Sequence, residues 1–199
     1  MGKIEVTRWE KSDISYQNYL EYIAKKQNRY ELTFIDLLYV SNFKGGNATI
    51  NEPELAIHKK LASYSEKLRN IEEDFKGMSL AVLTDIQLKN LVSKVIEICN
   101  LTCKNSETQI DGFSVSYLSA LLQAYFPNLI PILDRRVLIN LHLVSESDRN
   151  KQDQIKNIQQ FYKPLIEKFA IITREKGQTL REVDKDLFAI SIEKKLINN

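Results

Sequence analysis

The stretch Gly112-Phe113-Ser114-Val115-Ser116-Tyr117-Leu118-Ser119-Ala120-Leu121-Leu122, followed by Pro131-Ile132-Leu133-Asp134-Arg135-Arg136-Val137-Leu138, decides how this chain reads. It lies in the densest apolar segment of the sequence, 112–143, which only Phe126-Pro127-Asn128 and Pro131 interrupt. A segment this apolar predicts two buried helices, and the prolines predict a short, tight link between them. A small-residue turn at Gly112 opens the first helix. Asp134, eighteen positions after Ser116, immediately precedes the second.

Helical spacing continues outward in both directions. Towards the N-terminus, Tyr16, Tyr19/Leu20 and Ile23 after Ser12-Asp13 predict a capped helix near 13–27. The apolar stretch 32–40 ends in the polar Ser41-Asn42-Phe43-Lys44-Gly45-Gly46-Asn47, which reads as a loop. Ile57, Leu61, Tyr64, Leu68, Ile71 and Phe75 form one stripe on a helix from about Pro53 to Lys76, stopped by Gly77. Leu88, Leu91/Val92, Val95 and Ile98/Cys99 mark the next helix. Towards the C-terminus, Ile155, Ile158, Tyr162, Leu165, Phe169 and Ile172 predict a long helix ending at Gly177. Leu180, Val183, Leu187 and Ile190 follow Thr179, whose pairing with Glu182 three residues on is a capping box. No strand ladder, fixed-period repeat or interdomain linker is legible, so the chain reads as one all-α domain over 1–199, with two helical lobes.

Composition narrows the function classes. Of the 199 residues, 43% are hydrophobic and 27% charged, with six Gly and four Pro, which excludes disorder, collagen and low complexity. The longest apolar run, near 129–133, is far short of the roughly 20 residues of a bilayer span. The first ten residues lack the apolar stretch of a signal peptide, so a soluble cytoplasmic protein without a membrane partner is expected. Cys99 and Cys103 have neither a second cysteine pair nor a nearby histidine, so no metal site and no cofactor are expected. The balance of 28 Lys+Arg against 26 Asp+Glu is only +2. Any nucleic-acid surface must therefore be assembled locally by folding. Phosphate-loop, dinucleotide, zinc-protease and nucleophile-elbow motifs are absent, and His58 and His142 read as structural.

The segment 112–137 resembles the helix-hairpin-helix DNA glycosylases, the superfamily of endonuclease III and the adenine-mismatch glycosylases. Gly112, Phe113 and Ser116 match the hairpin positions, and Pro131-Ile132-Leu133-Asp134-Arg135-Arg136-Val137 matches the segment carrying that family's Asp. Ser114 stands at the second hairpin glycine, and Gln109-Ile110-Asp111 replaces the usual Leu-Pro. The resemblance implies two helical lobes flanking a cleft and double-stranded DNA as partner. It also implies backbone phosphate contacts at Gly112, Ser114 and Ser116, and Asp134 as the catalytic carboxylate. Cleaving an N-glycosidic bond develops positive charge on the sugar, which a carboxylate stabilises while it positions water. Ser116 occupies the place of the Schiff-base Lys of bifunctional members and cannot form an imine, which implies base removal without strand cleavage.

Each of these residues also has a plainer reading. Asp134 reads equally as the cap of the helix starting at Arg135. Arg135 and Arg136 read either as phosphate contacts or as ion-pair partners. The loop containing Asn42 and Asn47 reads as a wedge filling the gap left by a flipped base, or as ordinary surface. Trp9 and the tyrosines at 16, 19 and 22 read as packing before base stacking. The tail Leu180-Arg181-Glu182-Val183-Asp184-Lys185-Asp186-Leu187-Phe188-Ala189 looks like that of bacterial relatives of this group and supplies no mechanism. The rival to an enzyme is a non-catalytic DNA-binding or protein-interaction module on the same scaffold, and a defence-system component is compatible with either. A cleft in front of Asp134 favours the enzyme; a cap with no cavity favours the module.

Overall fold

A computed structural model describes residues 8–46 and 49–197, with side chains at 10–46 and 49–188. The Asn47 wedge candidate and the side chain of Trp9 lie outside the described residues. Regular structure among the described residues is all-helical, and the one extended pairing is an isolated bridge between Arg149 and Ile155.

Helices α1 (Arg8–Lys25) and α2 (Phe34–Phe43) pack on each other. α1 begins five residues before its expected start because Ser12 and Asp13 serve tertiary contacts instead of capping. The Ser12 hydroxyl donates to the Phe43 carbonyl (3.3 Å), and Asp13 accepts from Arg181 (2.8 Å). α2 also runs further than expected, because burial of Ser41 and Phe43 extends its inner face. Asn42 is therefore in the last helical turn, and the loop is confined to the residues after Phe43, where Gly45 and Gly46 take positive φ.

α3 (Glu54–Phe75) buries the whole predicted stripe and stops before Gly77, which takes φ +72°. It pairs with α4 (Asp85–Asn100). α5 (Val115–Tyr125) is buried along almost its entire length against α1 and α2. α6 (Arg135–Asn140) is a short helix packed on α8 (Leu180–Ile197), which starts at the predicted Thr179–Glu182 box. There the Thr179 N–H donates to the Glu182 carboxylate at 2.7 Å. Between α6 and α8 lies α7 (Tyr162–Lys176), packed on α4 and α8.

Two further expectations are corrected. The link between α5 and α6 is a long connector, 126–134, and side chains satisfy part of its polar backbone. Tyr162 donates to the Pro131 carbonyl (3.0 Å), and Ser116 and Ser119 clamp Leu133. Second, the helix expected from Ile155 begins only at Tyr162. Asp153 and Asn157 take left-handed φ, and the Asn150 side chain accepts from the N–H groups of Gln152 and Gln154. This is the turn chemistry by which Asx residues compete with helix.

One polar cluster is sealed inside the apolar core. Asp36, fully buried, accepts from the hydroxyls of Tyr19 (3.1 Å) and Tyr125 (2.9 Å), from Lys26 (2.8 Å) and from the Thr33 N–H (2.8 Å). Lys26 also donates to the Tyr125 hydroxyl and lies over the rings of Tyr22 and Tyr125. Tyr16 and Tyr19 are core residues, as their spacing implies. Among the described residues no helix is long and apolar enough to cross a membrane.

Candidate functional site

Asp134 is extended where the chain enters α6 (φ −118°, ψ 138°), the backbone conformation of a helix N-cap. One carboxylate oxygen, Oδ1, accepts from the Arg136 N–H (2.8 Å). The other, Oδ2, is 3.3 Å from the Lys44 ammonium, which reaches across from the end of α2. A little over a quarter of the Asp134 side chain is exposed, and it opens onto a cleft of about 530 Å³. Capping and a cleft therefore coexist at this residue.

The eighteen-residue spacing has a visible physical basis. The Ser116 hydroxyl donates to the Leu133 carbonyl (3.1 Å), and the Leu133 N–H donates to the Ser119 hydroxyl (2.9 Å). The first turns of α5 thus hold the backbone one residue before Asp134 by both of its polar groups. Ser116 is a clamp on the carboxylate's own segment.

One wall of the cleft is built from Lys11, Ser12 and Ser15 of α1 and from the α2 end, Asn42 to Gly46. The other is built from Asp134, Arg135 and Arg136 together with Arg181, Asp184 and Phe188 of α8. Five cationic side chains and two carboxylates line it, although the whole chain is nearly neutral.

The two carboxylates are pushed in opposite directions. Burial alone would raise Asp134, but the Lys44 charge, the Arg136 N–H and the Arg136 guanidinium outweigh it and hold the carboxyl below the ordinary range. Burial drives Asp184 up to about 6; the Arg181 and Lys44 charges pull it down, and the Asp134 charge adds to the rise. Arg181 connects the walls. It donates to Asp184 (3.1 Å) and to Asp13 on α1 (2.8 Å), with its guanidinium over the Tyr16 ring at 4.7 Å.

Of the residues singled out in the sequence, Asn42, Asp134, Arg135 and Arg136 come together around this cleft. Arg135 is ion-paired to Asp153 (3.4 Å), Arg136 lies over the Phe188 ring at 4.7 Å, and Asn42 donates to Ser15 (3.2 Å). Gly112, Ser114 and Ser116 are outside the lining. Gly112 and Ser114 are exposed in the turn before α5, and the Asp111 N–H there donates to Glu52. Gly112 takes φ +80°, and a Cβ on it would lie 2.0 Å from the Thr49 carbonyl oxygen. Its glycine is thus demanded by the 49–50 backbone. His58 and His142 are both exposed and neither lines the cleft. Lys44, Arg181 and Asp184 were not legible as site residues; the i, i+3 pairing of Arg181 with Asp184 was the only local signal.

In comparisons with known proteins the chain matches no family model, no curated protein and no solved structure. Among the described residues no group of three or more His, Cys, Asp or Glu side chains is placed to hold a metal ion.

Proposed function

We propose that the chain is a helix-hairpin-helix, glycosylase-like protein that removes a modified or damaged base from double-stranded DNA by hydrolysis, with Asp134 as the catalytic carboxylate. The observation that carries this reading is Asp134 itself: an ionised carboxylate, backbone-anchored through one oxygen and paired with Lys44 through the other, in the lining of an open cleft. As the glycosidic bond of a flipped nucleotide breaks, the positive charge on the sugar is met by a fixed negative charge that needs no reorganisation. The cationic lining supports a phosphate backbone along the cleft rim. The α2 end, with Asn42, is the candidate for the wedge that replaces the flipped base, and the exposed turn at Gly112 and Ser114 is the candidate for a phosphate contact. Ser116 has a hydroxyl where an imine would need an amine, and the nearest amine to Asp134, that of Lys44, is engaged by the carboxylate.

The test is a panel of duplexes carrying uracil, hypoxanthine, 8-oxoguanine or 7-methylguanine, treated with alkali after incubation to reveal abasic sites. Asp134→Asn keeps the cap from the Arg136 N–H and loses the ion pair with Lys44, so its Tm is read beside its activity. Base release should slow by on the order of 10²–10³, the value of one well-placed electrostatic group in a transition state. Borohydride added during turnover should trap no covalent DNA adduct; an adduct at Lys44 overturns hydrolysis without an imine. Absence of base release from every duplex, with DNA still retained, assigns Asp134 to capping alone and the protein to the binding modules.

A further inference from the structure

The C-terminal run Leu180 to Phe188 has no part in the reaction described so far, yet it supplies Arg181, Asp184 and Phe188 to the cleft. Asp184 is the second carboxylate there. It is 8% exposed, and one of its oxygens is held by Arg181 at 3.1 Å. The charged groups that share its cleft are Arg181 on its own helix, Asp134, Arg135 and Arg136 where α6 begins, Lys44 at the end of α2 and Lys11 on α1, and Arg181 also holds Asp13. It is near enough to Asp134 for the charge on one to raise the proton affinity of the other.

We propose that Asp184 is the acid of the reaction, donating a proton to the leaving base while Asp134 faces the sugar. The inference rests on the glycosylase reading above. It follows from what a base needs in order to leave. A neutral purine or pyrimidine departs with the bonding pair as a poor anionic leaving group unless a proton arrives on a ring atom, whereas an N7-alkylated purine is already cationic and departs neutral. In the step proposed, the Asp184 carboxyl gives its proton to a ring nitrogen as the N-glycosidic bond breaks and its electron pair goes to the base. Water then adds to C1′ of the cationic sugar, and the proton it releases returns to Asp184. The sum is substrate plus water giving free base and an abasic sugar, with both carboxylates regenerated.

Two carboxylates in one cleft with unlike environments are what this division of labour requires. Asp134 is anchored by a backbone N–H and a lysine and remains ionised. Asp184 is buried, shares its cleft with a negative charge, and binds its proton up to a pH of about 6. An acid of that strength is half-loaded just below neutrality, where general acid catalysis is most effective.

Single-turnover release should be compared between the neutral base of the panel that the wild type removes fastest and 7-methylguanine. Asp184→Asn should slow release of the neutral base by on the order of 10²–10⁴, the range of a general acid, and leave 7-methylguanine within a few-fold of wild type. Asp134→Asn should slow both. In the wild type, release of the neutral base should fall as pH rises through about 6, and that of 7-methylguanine should not. This second measurement needs no variant to fold, and Asp184→Glu should restore part of the neutral-base rate.

Equal slowing of both bases by Asp184→Asn assigns the residue to structure or charge and overturns the proposal. So does a neutral-base rate that the variant leaves unchanged. A wild type that releases 7-methylguanine alone overturns it as well, since such a site has no use for an acid. A wild type that releases nothing fails at the earlier step and removes the glycosylase reading itself.

Discussion

Asp134 and Asp184 lie in one cleft, yet they act on stability with opposite sign. Asp134 has its folded pKa depressed, so it stabilises the fold above the ordinary carboxylate value of about 4, and that contribution is lost as pH falls through its lower folded value. Asp184 has its folded pKa raised to about 6, so its contribution is complete below about 4 and is lost as pH climbs through 6. The wild type should therefore lose stability between pH 4 and 6 relative to Asp184→Asn, by up to roughly 3 kcal/mol from a difference of about two pKa units. Urea midpoints of the two proteins at pH 4 and pH 7 check this: the gap should move in favour of the variant at the higher pH, and a constant gap shows that Asp184 titrates as it does in the unfolded chain. The two residues also differ in how they are found. Asp134 announces itself by its distance from Ser116 and by the apolar run before it. Asp184 sits in an ordinary amphipathic pattern, and only the docking of α8 beside α6 turns it towards the cleft.

Helix positions were legible wherever a stripe of large apolar residues ran unbroken, as along α3, where every residue the spacing selects is buried. They were illegible where Asp and Asn offered the backbone another partner. That is why Ile155 and Ile158, in phase with α7, are outside it. The turn before α5 holds both kinds of information. Gly112 was legible as a turn glycine, but its partner, the 49–50 backbone, could not be read from a distant stretch of sequence. Gly112→Ala should cost more than about 2 kcal/mol, from left-handed strain together with displacement of the Thr49 carbonyl, and equilibrium denaturation measures it. Substitutions at Gly112 thus confound folding with binding, and the proposed phosphate contact is better probed at Ser114, the exposed N-cap of α5. Ser114→Asp retains a good capping residue and adds a negative charge. Unchanged stability with weakened retention of duplex DNA at moderate salt is expected, and undiminished retention argues against the hairpin as a phosphate grip.

At the level of the whole molecule two polar connections fix where the helices stand. The Asp36 cluster joins α1, α2 and α5 through Tyr19, Lys26 and Tyr125, and in doing so orients the α2 end that carries Lys44. Lys26→Met leaves the Asp36 carboxylate buried without its counter-charge and should cost about 3–5 kcal/mol, read as a large fall in Tm. A loss below about 1 kcal/mol would place that pair in water. The second connection is Arg181, which ties α8 to Asp13 across 168 positions of sequence. Joining segments so far apart costs chain entropy that only a nearly finished fold offsets, so contacts of this separation form late. The order of synthesis acts in the same direction. When the first 177 residues have left the ribosome, the chain already holds Asp134, Lys44 and most of its buried core, but neither Arg181 nor Asp184. Until α8 comes to rest beside α6, the cleft of a newly made molecule therefore has Asp134 and Lys44 in its walls but lacks the charged face that the later helix lends it.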